Sequence, residues 1–134
     1  MTVGAVVDNS ALVELLAGRD PDQELVRRLL TSDLAAPEIL DAEALSALRG
    51  MALRGEISEA EGYRHLEHIG MTPVTRVSHR VLIRRAWAIR HSVSAYDALY
   101  VALAEELDVP LITCDKKLAG ANGHNARIEV YPIS

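Results

Sequence analysis

The sequence predicts a single α/β domain, residues 1–134, built on a parallel, doubly wound sheet of about five strands flanked by helices. Three observations carry this reading. Short apolar runs without polar alternation, Thr2–Val7 and Pro110–Cys114, have the pattern of strands buried on both faces. Helix-length stretches separate the strand candidates, and such alternation is what parallel strands joined by crossover helices require. The chain has 134 residues, 49 % of them apolar, which is the size of about one domain with a core that needs no staples.

Taken in order, Thr2–Val7 is the first strand, ending at Asp8. A helix follows from Ser10 to near Gly18, and a second begins at Asp20-Pro21, with proline early and Asp22 and Glu24 in the first turn. Leu34–Ala36 is a brief strand stopped by Pro37. Glu38–Leu53 is a long helix with Leu45, Leu48 and Ala52 on one face, closed by Gly55. Ser58 and Glu61 form a capping-box start to a helix that reaches Ile69 and stops at Gly70. Met71–Val77 is the third strand. Ser78 caps a helix from Arg80 to Arg90, with Val81, Leu82 or Ile83, Ala86, Trp87 and Ile89 turned inward. A buried helix starts at Ser94 and feeds the strand Pro110–Cys114. Lys116 opens a short helix, 120–125 is a Gly/Asn-rich loop, and Arg127–Tyr131 is the last strand. Phe is absent, so the core must be made of Leu, Val, Ile and Ala.

Composition narrows the function classes. A formal net charge of −5 does not advertise nucleic-acid binding, which would need a local basic patch. One cysteine, Cys114, permits neither an internal disulfide nor a zinc cluster and suits a reducing cytosol. No basic leader is visible, and no stretch has the roughly 18 apolar residues of a membrane span. A soluble, cytoplasmic protein without membrane contact is expected.

Four acids stand where chemistry is commonly done. Asp8 follows the first strand and reads either as a helix N-cap or as a metal ligand at the mouth of the sheet. Glu43 lies on an apolar helix flank beside Ile39, Leu40 and Ala47, where a carboxylate must pair, bind a cation or bend out to solvent. Asp97, three residues after Ser94, reads as half of a capping box or as a carboxylate turned into the cleft. Asp115 follows the Leu111–Cys114 strand and reads as the cap of the next helix or as a ligand, with Thr113 either orienting it by a hydroxyl hydrogen bond or a plain β-branched strand residue. In common doubly wound sheets the first strand neighbours a later one at the switch point, so Asp8 and Asp115 would be adjacent. Four hard oxygen donors with no His or Cys among them suit Mg²⁺ or Mn²⁺ rather than zinc.

Other acid-pocket chemistries fit less well. A receiver domain wants a pair of acids after the first strand, and a dehalogenase-like phosphatase wants D-x-D there; here Asp8 stands alone and the third position is Ser10. No phosphate-binding glycine loop or nucleophile elbow occurs. His65, His68, His79, His91 and His124 form no ligand pattern with the acids.

Four segments, VVDNSALVELL, PEILDAEALSAL, SAYDALYVALAEEL and PLITCDKKLA, together resemble the PIN domain, and specifically the VapC-like ribonuclease toxins of toxin–antitoxin modules. The resemblance runs in order over nearly the whole chain. It implies an acidic metal cluster at Asp8, Glu43, Asp97 and Asp115, with Ser10 and Thr113 as the flanking hydroxyl residues. It also implies a five-stranded parallel sheet, Mg²⁺ or Mn²⁺, cleavage of single-stranded RNA, a homodimer, and a VapB-like antitoxin whose tail blocks the cleft. The competing function is a catalytically silent PIN-like module that binds RNA or a protein partner.

A basic run completes the inventory. Arg76, Arg80, Arg84, Arg85 and Arg90 lie between residues 76 and 91 without an acid, and Lys116 and Lys117 sit beside Asp115. The run reads as a solvated face, as a phosphate track, or as a surface for an acidic antitoxin tail; Arg80, Arg84, Arg85, Arg90 and Lys116 are the candidate contacts. No aromatic platform for base stacking stands out. Tyr96 and Tyr100, one helical turn apart, read as core or dimer interface.

Overall fold

The computed structural model describes residues 2–134. Five strands, β1 (Ala5–Val7), β2 (Leu34–Pro37), β3 (Val74–Val77), β4 (Leu111–Thr113) and β5 (Ile128–Val130), form one sheet. Its order is β3-β2-β1-β4-β5 and every pairing is parallel. Seven helices connect them: α1 (Asn9–Ala17), α2 (Gln23–Leu30), α3 (Ile39–Leu53), α4 (Glu59–Met71), α5 (Ile83–Ala88), α6 (Ala95–Leu107) and α7 (Lys116–Gly120). A 3₁₀ turn, His79–Leu82, precedes α5. No helix is long and apolar enough to cross a membrane.

Helix contacts fall into two sets, as a sheet between two layers requires. Helix α1 touches α2, α3 and α4, while α6 touches α5 and lies along β1, β2 and β4. After β1 the chain winds outward to β2 and β3, then returns to β4 on the other side of β1. The switch point is therefore the crevice at the carboxyl ends of β1 and β4, where ligands enter such sheets.

Local chemistry explains most of the helix ends. The capping box at α4 is complete: Glu61 N donates to Ser58 Oγ and Ser58 N to Glu61 Oε1, each at 3.0 Å. Gly55 takes φ = 76° directly after α3, a conformation that suits a residue without a Cβ. All of α6 from Ala98 to Ala104 is buried, as are all three residues of β1. Replacing one buried leucine there, such as Leu103, by alanine costs about 2–5 kcal/mol.

Several boundaries differ from expectation. The first strand begins at Ala5, since its pairing with Leu34 sets its start. The second helix starts at Gln23, because the Asp22 carboxylate caps it by accepting from Glu24 N and Leu25 N. Gly70 does not stop α4, which continues to Met71 and ends where Thr72 turns extended. Pro37 is the last residue of β2 rather than a residue beyond it, at an end where its missing N–H breaks no interior rung. On α3 the buried seam is Leu40, Ala44 and Leu48, and Leu45 is exposed.

The largest departure is the basic segment. A continuous helix from Arg80 to Arg90 is replaced by the 3₁₀ turn and the short α5. Leu82 and Ile89, two turns apart, share the core-facing side, while Val81, Ile83 and Trp87 face solvent. Arg76 lies before this segment. It sits in β3, where its guanidinium pairs with Asp41 and donates to the carbonyls of Ile69, Thr72 and Val74, closing the end of α4.

Candidate active site

Asp8 is the first residue beyond β1. Its N–H bonds to Ile112 O at 3.0 Å, which holds it against β4. One carboxylate oxygen, Oδ1, accepts from Ser10 Oγ at 2.7 Å and from Ala11 N at 3.0 Å, so Asp8 caps α1. The other, Oδ2, accepts from Thr113 Oγ1. Ser10 Oγ in turn accepts from Cys114 N, and Thr113 Oγ1 from Asp115 N, both at 2.9 Å. Each hydroxyl has one proton, and both protons go to Asp8. Ser10 and Thr113 thus clamp Asp8 between the ends of β1 and β4. The expectation that Thr113 orients the Asp115 side chain is corrected: its hydroxyl serves Asp8 and only the backbone of Asp115.

Asp115 follows β4 and caps α7, accepting from Lys117 N at 2.9 Å through Oδ1. At both strand ends the cap is therefore real. A carboxylate that caps with one oxygen still presents charge to the crevice, so capping and clustering coexist.

Glu43 lies in the second turn of α3, half-buried, and its Oε1 accepts from Tyr100 Oη of α6 at 2.7 Å. Asp97 lies in the first turn of α6. The capping box read from Ser94 and Asp97 does not form, since the Ser94 side chain makes no cap hydrogen bond. That leaves the Asp97 carboxylate at the helix N-terminus, whose dipole favours a negative charge.

The electrostatics show the four acids converging. Burial is the main cause that raises the Asp8 pKa above its usual value, hydrogen bonds from Thr113, Ala11 and Ser10 oppose it, and the Asp97 charge adds to it. Glu43 is raised by burial, eased by the Tyr100 hydroxyl, and raised again by Asp97 and Asp8. Asp97 is raised by burial and by Asp115, with Ser94 and Lys117 pulling the other way. Asp97 is thus within electrostatic reach of all three others. None of the four takes part in an ion pair among the described residues. Like-charged carboxylates held together by burial are the arrangement a cation relieves.

The donor set fits a hard divalent ion: carboxylates with no thiolate or imidazole among them. The side chains do not yet close on one point, since among the described residues no three His, Cys, Asp or Glu groups are placed as a ready metal-ligand set.

Of the candidate cations, Arg85 is committed to Glu105 through two bonds of 2.7 and 3.0 Å. Arg90 lies over the Trp87 ring, 4.5 Å from its centroid. Arg80, Arg84 and Lys116 are exposed. Two residues escaped the sequence reading. Tyr100, expected as core or dimer interface, is buried and hydrogen-bonds Glu43; Tyr96, one turn earlier, is exposed, so the pair does not act together. Glu14 is a buried carboxylate that accepts from Ser134 N and Oγ at 2.9 and 2.6 Å. Neither partner is near in sequence, so no local pattern signals it.

An α/β sheet with clustered acids at its switch point defines the class, and a family model of the PIN domain matches residues 5–123. Ribonuclease VapC1 of Mycobacterium tuberculosis is 43 % identical over 127 residues, spanning 93 % of this chain and 96 % of that protein. Among solved structures, PAE2754 from Pyrobaculum aerophilum superposes with a TM-score of 0.70 at 26 % identity, over 96 % of this chain and 84 % of that one. A toxin–antitoxin complex from Klebsiella pneumoniae contains a chain with the same fold, TM-score 0.68 at 21 % identity, over 97 % and 100 % of the two chains. The chain belongs to the PIN-domain family, on its VapC-like branch.

Proposed function

We propose that this protein is a metal-dependent endoribonuclease that cleaves single-stranded RNA, the toxin of a toxin–antitoxin pair. The observation that carries the reading is the set of four unpaired carboxylates, Asp8, Glu43, Asp97 and Asp115, coupled through Asp97 at the switch point. Similarity to a protein named a ribonuclease supports the chemistry, and a structural relative solved within a toxin–antitoxin complex supports a VapB-like partner.

These four residues would hold Mg²⁺ or Mn²⁺. When bound, the ion supplies positive charge to the phosphoryl group in flight and makes a water molecule acidic enough to act as nucleophile. The Ser10–Thr113 clamp holds Asp8 in one rotamer, so its lone pairs need no reorganisation. Tyr100 fixes Glu43 in the same way. Asp97 and Glu43 orient the attacking water. Attack in line breaks the P–O3′ bond, leaving a 5′-phosphate and a 3′-hydroxyl. Among the described residues the histidine–carboxylate pair is His79–Glu38 at 3.7 Å, beyond β3 and β2 rather than at β1 and β4, so the RNA 2′-hydroxyl has no activating base there and is not chemically required. Exposed Leu45 and Leu53 on α3 and Tyr63 on α4 suit a homodimer contact, which sedimentation at tens of micromolar would detect.

Purified protein should cleave RNA with Mg²⁺ or Mn²⁺, stop with EDTA, and leave phosphatase-sensitive 5′ ends. A 2′,3′-cyclic phosphate product formed in EDTA would sink both the mechanism and the assignment of the four acids.

A further inference from the structure

The longest acid-free stretch of the chain runs from His68 to Tyr96. In a protein with 19 acids and a net charge of −5 it carries five arginines. Two are committed, Arg76 to Asp41 and Arg85 to Glu105. Arg80, Arg84 and Arg90 are exposed and in no ion pair among the described residues. Beside them stand two exposed aromatic side chains, Trp87 of α5 and Tyr96 of α6. Trp87 is 67 % exposed and Tyr96 59 %. With Ile83, Ala86, Val93 and Leu99 they line an apolar groove of about 350 Å³. Tyr96 also lines the adjoining groove, together with Asn9 and Glu43. The aromatic face and the acidic mouth are therefore continuous through one residue.

The Arg90 guanidinium covers one face of the Trp87 ring and donates to Trp87 O at 3.0 Å. This contact stiffens the indole and leaves the rest of the ring to solvent. A fixed aromatic surface flanked by unpaired arginines matches a single strand, whose bases stack while its phosphates follow the charge. A second copy of the chain is a poorer occupant. Two-fold packing sets a surface against itself, which would press Arg84 and Arg90 towards their own counterparts.

We infer that Trp87 and Tyr96 form a base-stacking platform for single-stranded RNA, with Arg80 and Arg84 tracking its phosphates towards Glu43 and Asp97. The inference rests on the nuclease reading and adds to it the residues that position the substrate.

Trp87 is the only tryptophan, so its emission reports on the platform directly. In EDTA, a short oligoadenylate should quench that emission, while inorganic polyphosphate should bind without quenching. By anisotropy of labelled oligoadenylate, Trp87→Ala should weaken binding about tenfold, and Trp87→Phe, which keeps an aromatic face, should recover most of the loss. Circular dichroism checks that both variants fold; the exposure of Trp87 makes this the expected result. Unchanged affinity in Trp87→Ala, or equal quenching by polyphosphate, overturns the platform. So does a change of emission with protein concentration alone, accompanied by a dimer that Trp87→Ala dissociates, since that marks a contact between copies. Response to polyglutamate but not to RNA would instead mark a protein-binding face. If the wild type cleaves RNA yet shows no quenching, the platform alone falls; if it neither binds nor cleaves RNA, the nuclease reading falls with it.

Discussion

The acids at the rim of the molecule and those at the mouth of its sheet are handled in opposite ways. At the rim, Glu129 meets Arg28 at 2.9 and 3.1 Å, Asp41 meets Arg76 at 2.9 and 3.2 Å, and Glu105 meets Arg85 at 2.7 and 3.0 Å. Each is a planar guanidinium fitted to a carboxylate by two bonds. At the mouth, Asp8, Glu43 and Asp97 are buried wholly or in part, repel one another, and receive only neutral donors. Hydrogen bonds from Ser10, Thr113 and Tyr100 orient these carboxylates without neutralising them. Rim acids hold elements together; at the mouth, burial and mutual repulsion raise the carboxyl pKa values and no cationic side chain pairs with them among the described residues.

Substitution at the hub of the mouth should give the largest effect. Asp97→Asn should keep the fold, by circular dichroism, and lower RNA cleavage by more than about 100-fold, beyond the 10–100-fold typical of residues that only support a metal ligand. Normal cleavage by a folded Asp97→Asn protein would return Asp97 to a structural role. Tyr100→Phe removes the hydroxyl on Glu43 but keeps the buried ring. Cleavage should fall by about 10-fold with little change in melting temperature. The Glu43 carboxylate, not the ring, is the point of that test, so equal loss in stability and activity would argue against positioning.

Stability should separate the two regions next. Millimolar Mg²⁺ or Mn²⁺ should raise the melting temperature, by about 2.7 kcal/mol of added stability if the ion reaches 100 times its dissociation constant. Asp97→Asn should lose that gain, whereas Arg85→Ala at the rim should keep it while lowering the baseline. Calorimetry with no divalent response in the wild type would break the comparison. The smallest effect is in pH. Arg85 is the main cause holding the Glu105 pKa below the usual 4.5, and Arg28 does the same for Glu129. A folded value below the unfolded one means the pairs contribute fully above about pH 4.5 and are lost as pH falls through the folded values. Urea titrations should therefore show a fall in stability below pH 4.5 that is smaller in Glu105→Gln.

Much of this was legible in the chain because the signals were local. Buried strands declare themselves as unbroken apolar runs, and the winding order follows from the alternation of strands and helices. Asp8 and Asp115 are visible because strand ends in such sheets are privileged positions. What escaped depends on contacts far apart in sequence. Tyr100 and Glu43 are 57 residues apart, and Tyr100 on an apolar helix looks like any core aromatic. Trp87 lies about 140° around a helix from Leu82, on the solvent side, and its apolarity alone points it the wrong way. Arg76 lies in the strand that the Met71–Val77 run implies, but its pairing with Asp41, 35 residues away, has no local signal.

The clamp on Asp8 has a consequence in time. Thr113 lies 105 residues beyond the carboxylate it holds, and β1 has no β4 to pair with until the chain is almost fully made. At about 5–20 residues per second, a ribosome takes roughly 5–20 s to travel that distance. During that interval α1–α6 and the first three strands are made, but the crevice beside β1 has no far wall. On the nuclease reading, chains stopped before Leu111 should show no cleavage of RNA in a translation extract. On that reading, the topology itself would delay activity until the chain is nearly complete.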